Sequence, residues 1–168
     1  MIQKMPFLYS LMHLVDLPLL YFLSYLFRSI NAIIAPQLVS EAGLSAGDLG
    51  LLTSAYFFAF AAFQIPLGML LDRFGPRRVQ AAFLLSAALG AFLFSIGDSK
   101  ITLIFARSMI GLGVAGGLMS SFKAITIWFP EKRWPLVNGC FMAMGGLGAV
   151  SSTVPLEVAL HYTDWRGV

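Results

Sequence analysis

The chain has 168 residues, 58% hydrophobic and 11% charged, with a mean hydropathy of +0.82 and a formal net charge of +3. A water-soluble domain carries about 25% charged residues, so this sequence lacks the side chains to cover a water-facing surface of its size. The solvent left is lipid, which admits helices or closed barrels, and the long apolar runs do not alternate as barrel strands over about ten residues would.

Residues 1–16 (MIQKMPFLYSLMHLVD) read either as a short cytoplasmic, interfacial amphipathic helix or as an extension from an upstream start codon. Five transmembrane helices are predicted after them, at about 17–39, 49–71, 79–96, 101–127 and 136–160. The first, at about 1.5 Å per residue, is long enough for a hydrocarbon core of about 30 Å. It is not read as a secretory signal, because no short apolar region with a small-residue cleavage site is present. Polar, Gly-punctuated or charged loops separate the helices: 40–48, DRFGPRR at 72–78, 97–100 and WFPEKRWP at 128–135, whose tryptophans suit the headgroup level. A polar tail, HYTDWRGV, closes the chain.

Orientation follows from the basic residues. Lys4, Arg73, Arg77, Arg78, Lys132 and Arg133 fall on one side of the membrane. Lys100 and Arg166 fall on the other, among Glu41, Asp48, Asp98, Glu157 and Asp164. The more basic side is predicted to be cytoplasmic, as is the N-terminus. The positive charge is thus a topology signal, and nucleic acid is not expected as a partner. Cys140 stands alone and His13 and His161 form no ligand pair, so neither a disulfide framework, a metal nor a cofactor is expected.

On the first helix, Tyr21, Ser24, Arg28 and Asn31 recur at three- and four-residue steps and share one face. A polar stripe on an apolar span must look into the bundle or a water-filled cavity, and Arg28 lies near mid-membrane, where it can least easily snorkel. Two readings stay open: a cationic floor for an anionic substrate group, or an internal ion pair whose acid lies outside these five helices. Tyr56 and Gln64 on the second helix are weaker lining candidates, explained equally well by helix-packing hydrogen bonds.

The strongest local pattern is GMLLDRFGPRR, with Gly68, Asp72, Arg73, Gly75, Arg77 and Arg78. Gly68 would admit a neighbouring helix, and Asp72 at the membrane boundary could pair with a base or face a helix N-terminus. Gly75-Pro76 makes the turn. In the fourth helix Arg107, Gly111 and Gly113 stand out. An arginine at that depth costs about 2.5–3.5 kcal/mol on insertion scales, so Arg107 should be paired inside the bundle, as a structural group or in proton coupling. The overlapping G-x-G-x-x-G at 111–116 lies inside an apolar helix rather than after a strand, which argues against a nucleotide loop. Gly113 and Gly117, and Gly145, Ala149 and Thr153 on the fifth helix, form small-residue faces for close packing. Lys123, near the inner end of the fourth helix, reads as a basic lining residue or as a side chain snorkelling to the interface.

GMLLDRFGPRR resembles the loop signature between helices two and three of the major facilitator superfamily, G-x-x-x-D-R-x-G-x-R-R, at every fixed position. Arg107-Ser-Met-Ile-Gly111-Leu-Gly113 is similar to that family's fourth-helix motif, R-x-x-x-G-x-G. The glycine-rich fifth helix departs from the family's antiporter motif, with Pro155 displaced. Residues 25–52 resemble the organophosphate:phosphate antiporter branch, in which the arginine matching Arg28 contacts phosphate and a basic residue matches Lys123. The resemblance implies an all-α, polytopic bundle forming part of the N-terminal half of a twelve-helix fold, with a substrate site between the two halves. It also implies that Asp72, Arg73, Arg77 and Arg78 gate alternating access.

The expected function is secondary transport of a small anionic solute, with a coupled proton or anion, across a bacterial-type inner membrane. Expected partners are the bilayer, the solute and helices six to twelve, the chain being read as ending before helix six. The alternative is a truncated remnant that inserts but carries nothing. A membrane enzyme is disfavoured for want of clustered acidic, His or Ser residues at the membrane edge.

Overall fold

The computed structural model describes residues 7–167; residues 1–6 of the N-terminal segment and Val168 lie outside the described part. Among the described residues the structure is helical: α1 (Phe7–Ala42), α2 (Ala46–Ala62), α3 (Gln64–Ile96), α4 (Lys100–Trp128), a 3-10 turn (Glu131–Arg133), α5 (Trp134–Ser151) and α6 (Val154–Leu160). Residues 7–16 run into α1 without a break.

Prolines and one glycine divide the apolar runs. Pro66 has no amide hydrogen to offer the carbonyl four residues earlier, that of Ala62, and α2 ends there. After the single residue Phe63 the chain resumes as α3. Pro155 stands in the same relation to Ser151, where α5 ends. Within α3, Gly75 adopts φ 76° and ψ 163°, a backbone conformation open essentially to glycine. That residue turns the chain between 64–74, which continues the direction of α2, and 76–96.

Among the described residues four segments are long and apolar enough to cross a membrane: Tyr21–Ala42, Gln64–Ile96, Lys100–Trp128 and Glu131–Leu160; α2 is apolar but shorter. Phe58, Ile65 and Ile101 are 77%, 81% and 81% exposed, which water would penalise and lipid would not. α4 is the central element, packed most extensively on α3 and then on α2, while α1 lies chiefly against α5.

Glycines permit those contacts. A Cβ on Gly111 would strike the backbone of Tyr56 on α2, and one on Gly113 the backbone of Ala87 on α3. On α5, Gly145 faces the Tyr21 ring and Gly148 the backbone of Phe22. Backbone approach of this kind replaces the hydrophobic drive that lipid does not supply.

Charged residues gather at the two ends. At one, Asp48 pairs with Lys100 at 2.9 Å and Asp98 with Arg166 at 2.8 Å. Trp165 donates from Nε1 to Glu41 at 2.9 Å. At the opposite end Lys123 pairs with Asp72 at 2.6 Å. Hydrogen bonds from Ser45 at the start of α2, with Lys100 beside it, push the Asp48 carboxyl down to about 2.

Candidate anion site and gate

Arg28 is half-buried on α1 and stands among aromatic rings. Its guanidinium carbon lies 5.2 Å from the Tyr25 ring centroid, 5.3 Å from Phe60 and 5.9 Å from Phe57, the last two on α2. Its buried Nε has no hydrogen-bond partner, and the same holds for the hydroxyl of Tyr56, 3% exposed on α2. The ion pairs among the described residues are those of Lys100, Lys123 and Arg166, and none involves Arg28. Rings supply a weak, non-competing attraction for the cation and leave its donors available. The arrangement can take an anionic group by charge-assisted hydrogen bonds.

The rest of the first-helix stripe divides. Ser24 is buried. Tyr21 is packed against α5, its ring stacked on Phe141 at 4.2 Å, and its hydroxyl donates to the Tyr25 hydroxyl at 3.3 Å. Asn31 is engaged at both ends of its amide: Nδ2 donates to Thr53 Oγ1 at 2.8 Å, and Oδ1 accepts from the Arg107 guanidinium at 2.8 Å. Gln64 begins α3, half-buried.

Arg107, 2% exposed, sits between α4 and α1. Besides Asn31 it donates to the Phe27 carbonyl at 3.3 Å and lies 4.6 Å from the Phe94 ring centroid. Its partners are therefore an amide, a carbonyl and a ring rather than a carboxylate. Gly111, Gly113 and Gly116 lie buried in the interior of α4, where the glycine pattern serves helix contact and offers no phosphate loop.

Asp72 and Lys123 meet at the edge of the bundle, the ammonium donating to Oδ1 at 2.6 Å and thereby tying α3 to α4. Arg73, Arg77 and Arg78 are exposed around the Gly75 turn, with Arg73 over the Phe74 ring at 5.2 Å. Gly68 faces outward with no described atom within 4 Å of a Cβ built on it, because Leu67 and Leu71 carry the inward face of that helix.

Sequence reasoning did not anticipate the clamp formed by the tail. Trp165 is buried against Phe94, and Arg166 donates to the Ser95 and Gly97 carbonyls at 2.8 and 3.1 Å. Together with Glu41 they join the ends of α1 and α3 and bound a cleft of about 290 Å³ that Arg107 also lines. The only sequence signal was the amphipathic pair Trp-Arg in a polar tail.

An apolar helical bundle that keeps two arginines among its helices, gathers its other charges at its two ends and turns on a glycine loop has the make-up of a multi-pass membrane protein. The Major Facilitator Superfamily model matches residues 17–168, and the chain belongs to that family. It is 29% identical over 88% of its length to the probable sulfoacetate transporter SauU of Cupriavidus necator, covering 34% of that protein. To the probable L-galactonate transporter of Escherichia coli it is 31% identical over 87% of the chain and 32% of the relative. To the probable galactarate/D-glucarate transporter GudP of Pseudomonas putida it is 32% identical over 71% of the chain and 27% of the relative. The chain thus spans 27–34% of the length of these relatives.

Proposed function

We propose that this chain forms part of a secondary transporter that moves a small organic anion across a bacterial-type inner membrane by alternating access, with its N-terminus cytoplasmic. The observation that carries the reading is Arg28: a cation within the bundle, ringed by Tyr25, Phe57 and Phe60, with a buried Nε that has no partner. A cation so placed is stabilised when an anion arrives, and a transported anion can supply that charge transiently. Carboxylates or sulfonates are favoured over phosphate esters, since the relatives are named as probable transporters of sulfoacetate, L-galactonate and galactarate or D-glucarate. The Asp72–Lys123 pair serves as one element of the gate at the basic end, and Arg73, Arg77 and Arg78 hold that end at the inner headgroups.

The test is uptake and counterflow of labelled galactonate and sulfoacetate, with glycerol 3-phosphate as the phosphate-ester comparison, in vesicles holding the transporter that contains this segment. Arg28→Gln should abolish counterflow of the preferred anion while membrane insertion is unchanged. Undiminished flux in that variant would remove Arg28 from the substrate path. Absence of flux for every anion in the unaltered protein would favour the reading of a non-transporting remnant. Dependence of uptake on an imposed pH gradient distinguishes proton coupling from anion exchange.

A further inference from the structure

A continuous line of donors and acceptors crosses three helices beside Arg28. Arg107 on α4 donates to Asn31 on α1 at 2.8 Å; Asn31 donates to Thr53 on α2 at 2.8 Å; Thr53 donates to the Leu49 carbonyl one turn back along α2 at 2.9 Å. A second donor of Arg107 reaches the Phe27 carbonyl, part of the peptide unit that joins Phe27 to Arg28. Arg28 is therefore held on one side by the clamp on its preceding peptide. On the other side, three residues along the same face, it is held by the anchored Asn31.

The geometry of α2 gives this line its consequence. Thr53, Phe57 and Phe60 are spaced at four and three residues and form one stripe, and α1 presents Asn31, Arg28 and Tyr25 in the reverse order. Asn31 bonds Thr53 at one end of the paired stripes, while Phe57 and Phe60 flank the Arg28 guanidinium further along. Direct contact between α1 and α2 is otherwise slight. Sliding α2 by one residue would shift its rings by about 1.5 Å along the axis and rotate them about 100° away from Arg28.

We infer that Arg107, Asn31 and Thr53 form a strut that sets the register of α1, α2 and α4 and so positions Arg28 and its ring of aromatics, without touching the solute. The inference rests on the reading of Arg28 as the anion site. It gives a use to an arginine buried at 2% exposure with no carboxylate partner, and to an asparagine whose amide is engaged at both its nitrogen and its oxygen by neighbouring helices.

Truncating Arg107 or Asn31 could prevent folding, so the decisive variants are at Thr53, which is exposed and keeps its shape as valine. Equilibrium binding of galactonate and sulfoacetate is measured on the purified transporter that contains this segment. Thr53→Val should weaken binding of the preferred anion about fivefold, the worth of one hydrogen bond, and Thr53→Ser should stay within about twofold of the unaltered protein. Arg28→Lys keeps the charge and loses the guanidinium fork, and should weaken binding about tenfold. On that background Thr53→Val should cost less than about twofold, because the group being positioned is no longer there; coupling of this kind marks residues that act through one another.

A fivefold loss in both backgrounds would overturn the strut and leave a general structural role for Thr53. Unchanged affinity in Thr53→Val would overturn it too, with the anion site intact. Unchanged affinity in Arg28→Gln would instead remove the anion site, and the strut's purpose with it.

Discussion

At the residue scale, Arg28 and Arg107 are the same side chain set in different surroundings. Arg107 is buried and bound to an amide, a carbonyl and a ring, which offset its desolvation without neutralising it. Arg28 is half-buried among rings and takes part in none of the described ion pairs. Each of the two arginines keeps a buried Nε without a partner, but among the described hydrogen bonds only Arg107 has its terminal nitrogens engaged. Both were legible in the sequence as arginines at membrane depth, since apolar flanks make any charge there stand out. Which one was tied down was not legible, because their partners come from other helices. Glycines show the same division. Gly68 belongs to the best-matched motif yet has open space around it, whereas Gly111 is pressed against the backbone of Tyr56. Gly111→Ala should therefore force α2 and α4 apart and destabilise the bundle by about 1–3 kcal/mol, the range for overpacking. Gly139→Ala, placed where a Cβ meets nothing within 4 Å, should leave stability unchanged or slightly raised. Thermal unfolding of both variants in detergent checks this; equal melting temperatures would show that the α2–α4 contact has slack.

At the scale of elements, composition and run length sufficed for helices but not for their interruptions. The second apolar run divides at Phe63 and the fifth after Ser151, each where a proline withholds an amide from a carbonyl four residues earlier. Those breaks were written at Pro66 and Pro155, although a hydropathy window averages over them. Helix starts are marked by side chains. Ser45 and Asp48 form a reciprocal capping box on α2, Ser45 Oγ accepting from the Asp48 amide at 3.2 Å and the Asp48 carboxylate accepting from the Ser45 amide at 2.8 Å. Those bonds need the ionised carboxylate and hold it at about 2, below its ordinary 3.8. A depressed carboxyl contributes stability that is complete above its ordinary value and lost as pH falls through its folded value. The contribution of Asp48 is therefore present at neutral pH and disappears between about pH 4 and pH 2. Over that window the unaltered protein should lose more thermal stability than Asp48→Asn, whose amide has no charge to lose. Parallel melting curves of the two across that range would rule out the cap as a titrating element.

For the whole molecule, charge placement separates an end tied by several contacts from one held by a single exposed ion pair among the described residues. The end holding Glu41, Asp48, Asp98, Lys100 and Arg166 is cross-braced by two ion pairs and a buried tryptophan. The opposite end is closed between α3 and α4 by Asp72 and Lys123, both well exposed to solvent. An exposed pair contributes about 0–1 kcal/mol, too little to hold the fold together but enough to shift a balanced two-state equilibrium several-fold. Asp72→Asn and Lys123→Met should accordingly slow turnover more than they weaken binding. Exchanging the charges in an Asp72→Lys, Lys123→Asp double variant should recover part of the lost rate. Transport kinetics that resolve kcat from KM provide the check; an affinity loss at constant turnover would contradict a gating role.

The sequence by itself determined that the chain is helical and lives in lipid, and it located the charged loops and the arginines at depth. These follow from solvation, which depends on how many apolar residues stand in a row and is local to the chain. It also carried the family motifs, which are runs of contiguous residues. Only the tertiary structure decided that Lys123 answers Asp72, that Asn31 bridges Arg107 to Thr53, and that Trp165 and Arg166 clasp the ends of α1 and α3. Each of those contacts joins residues far apart in the chain. Which polar groups meet across a bundle depends on helix rotation and register, set by where glycines let backbones close together.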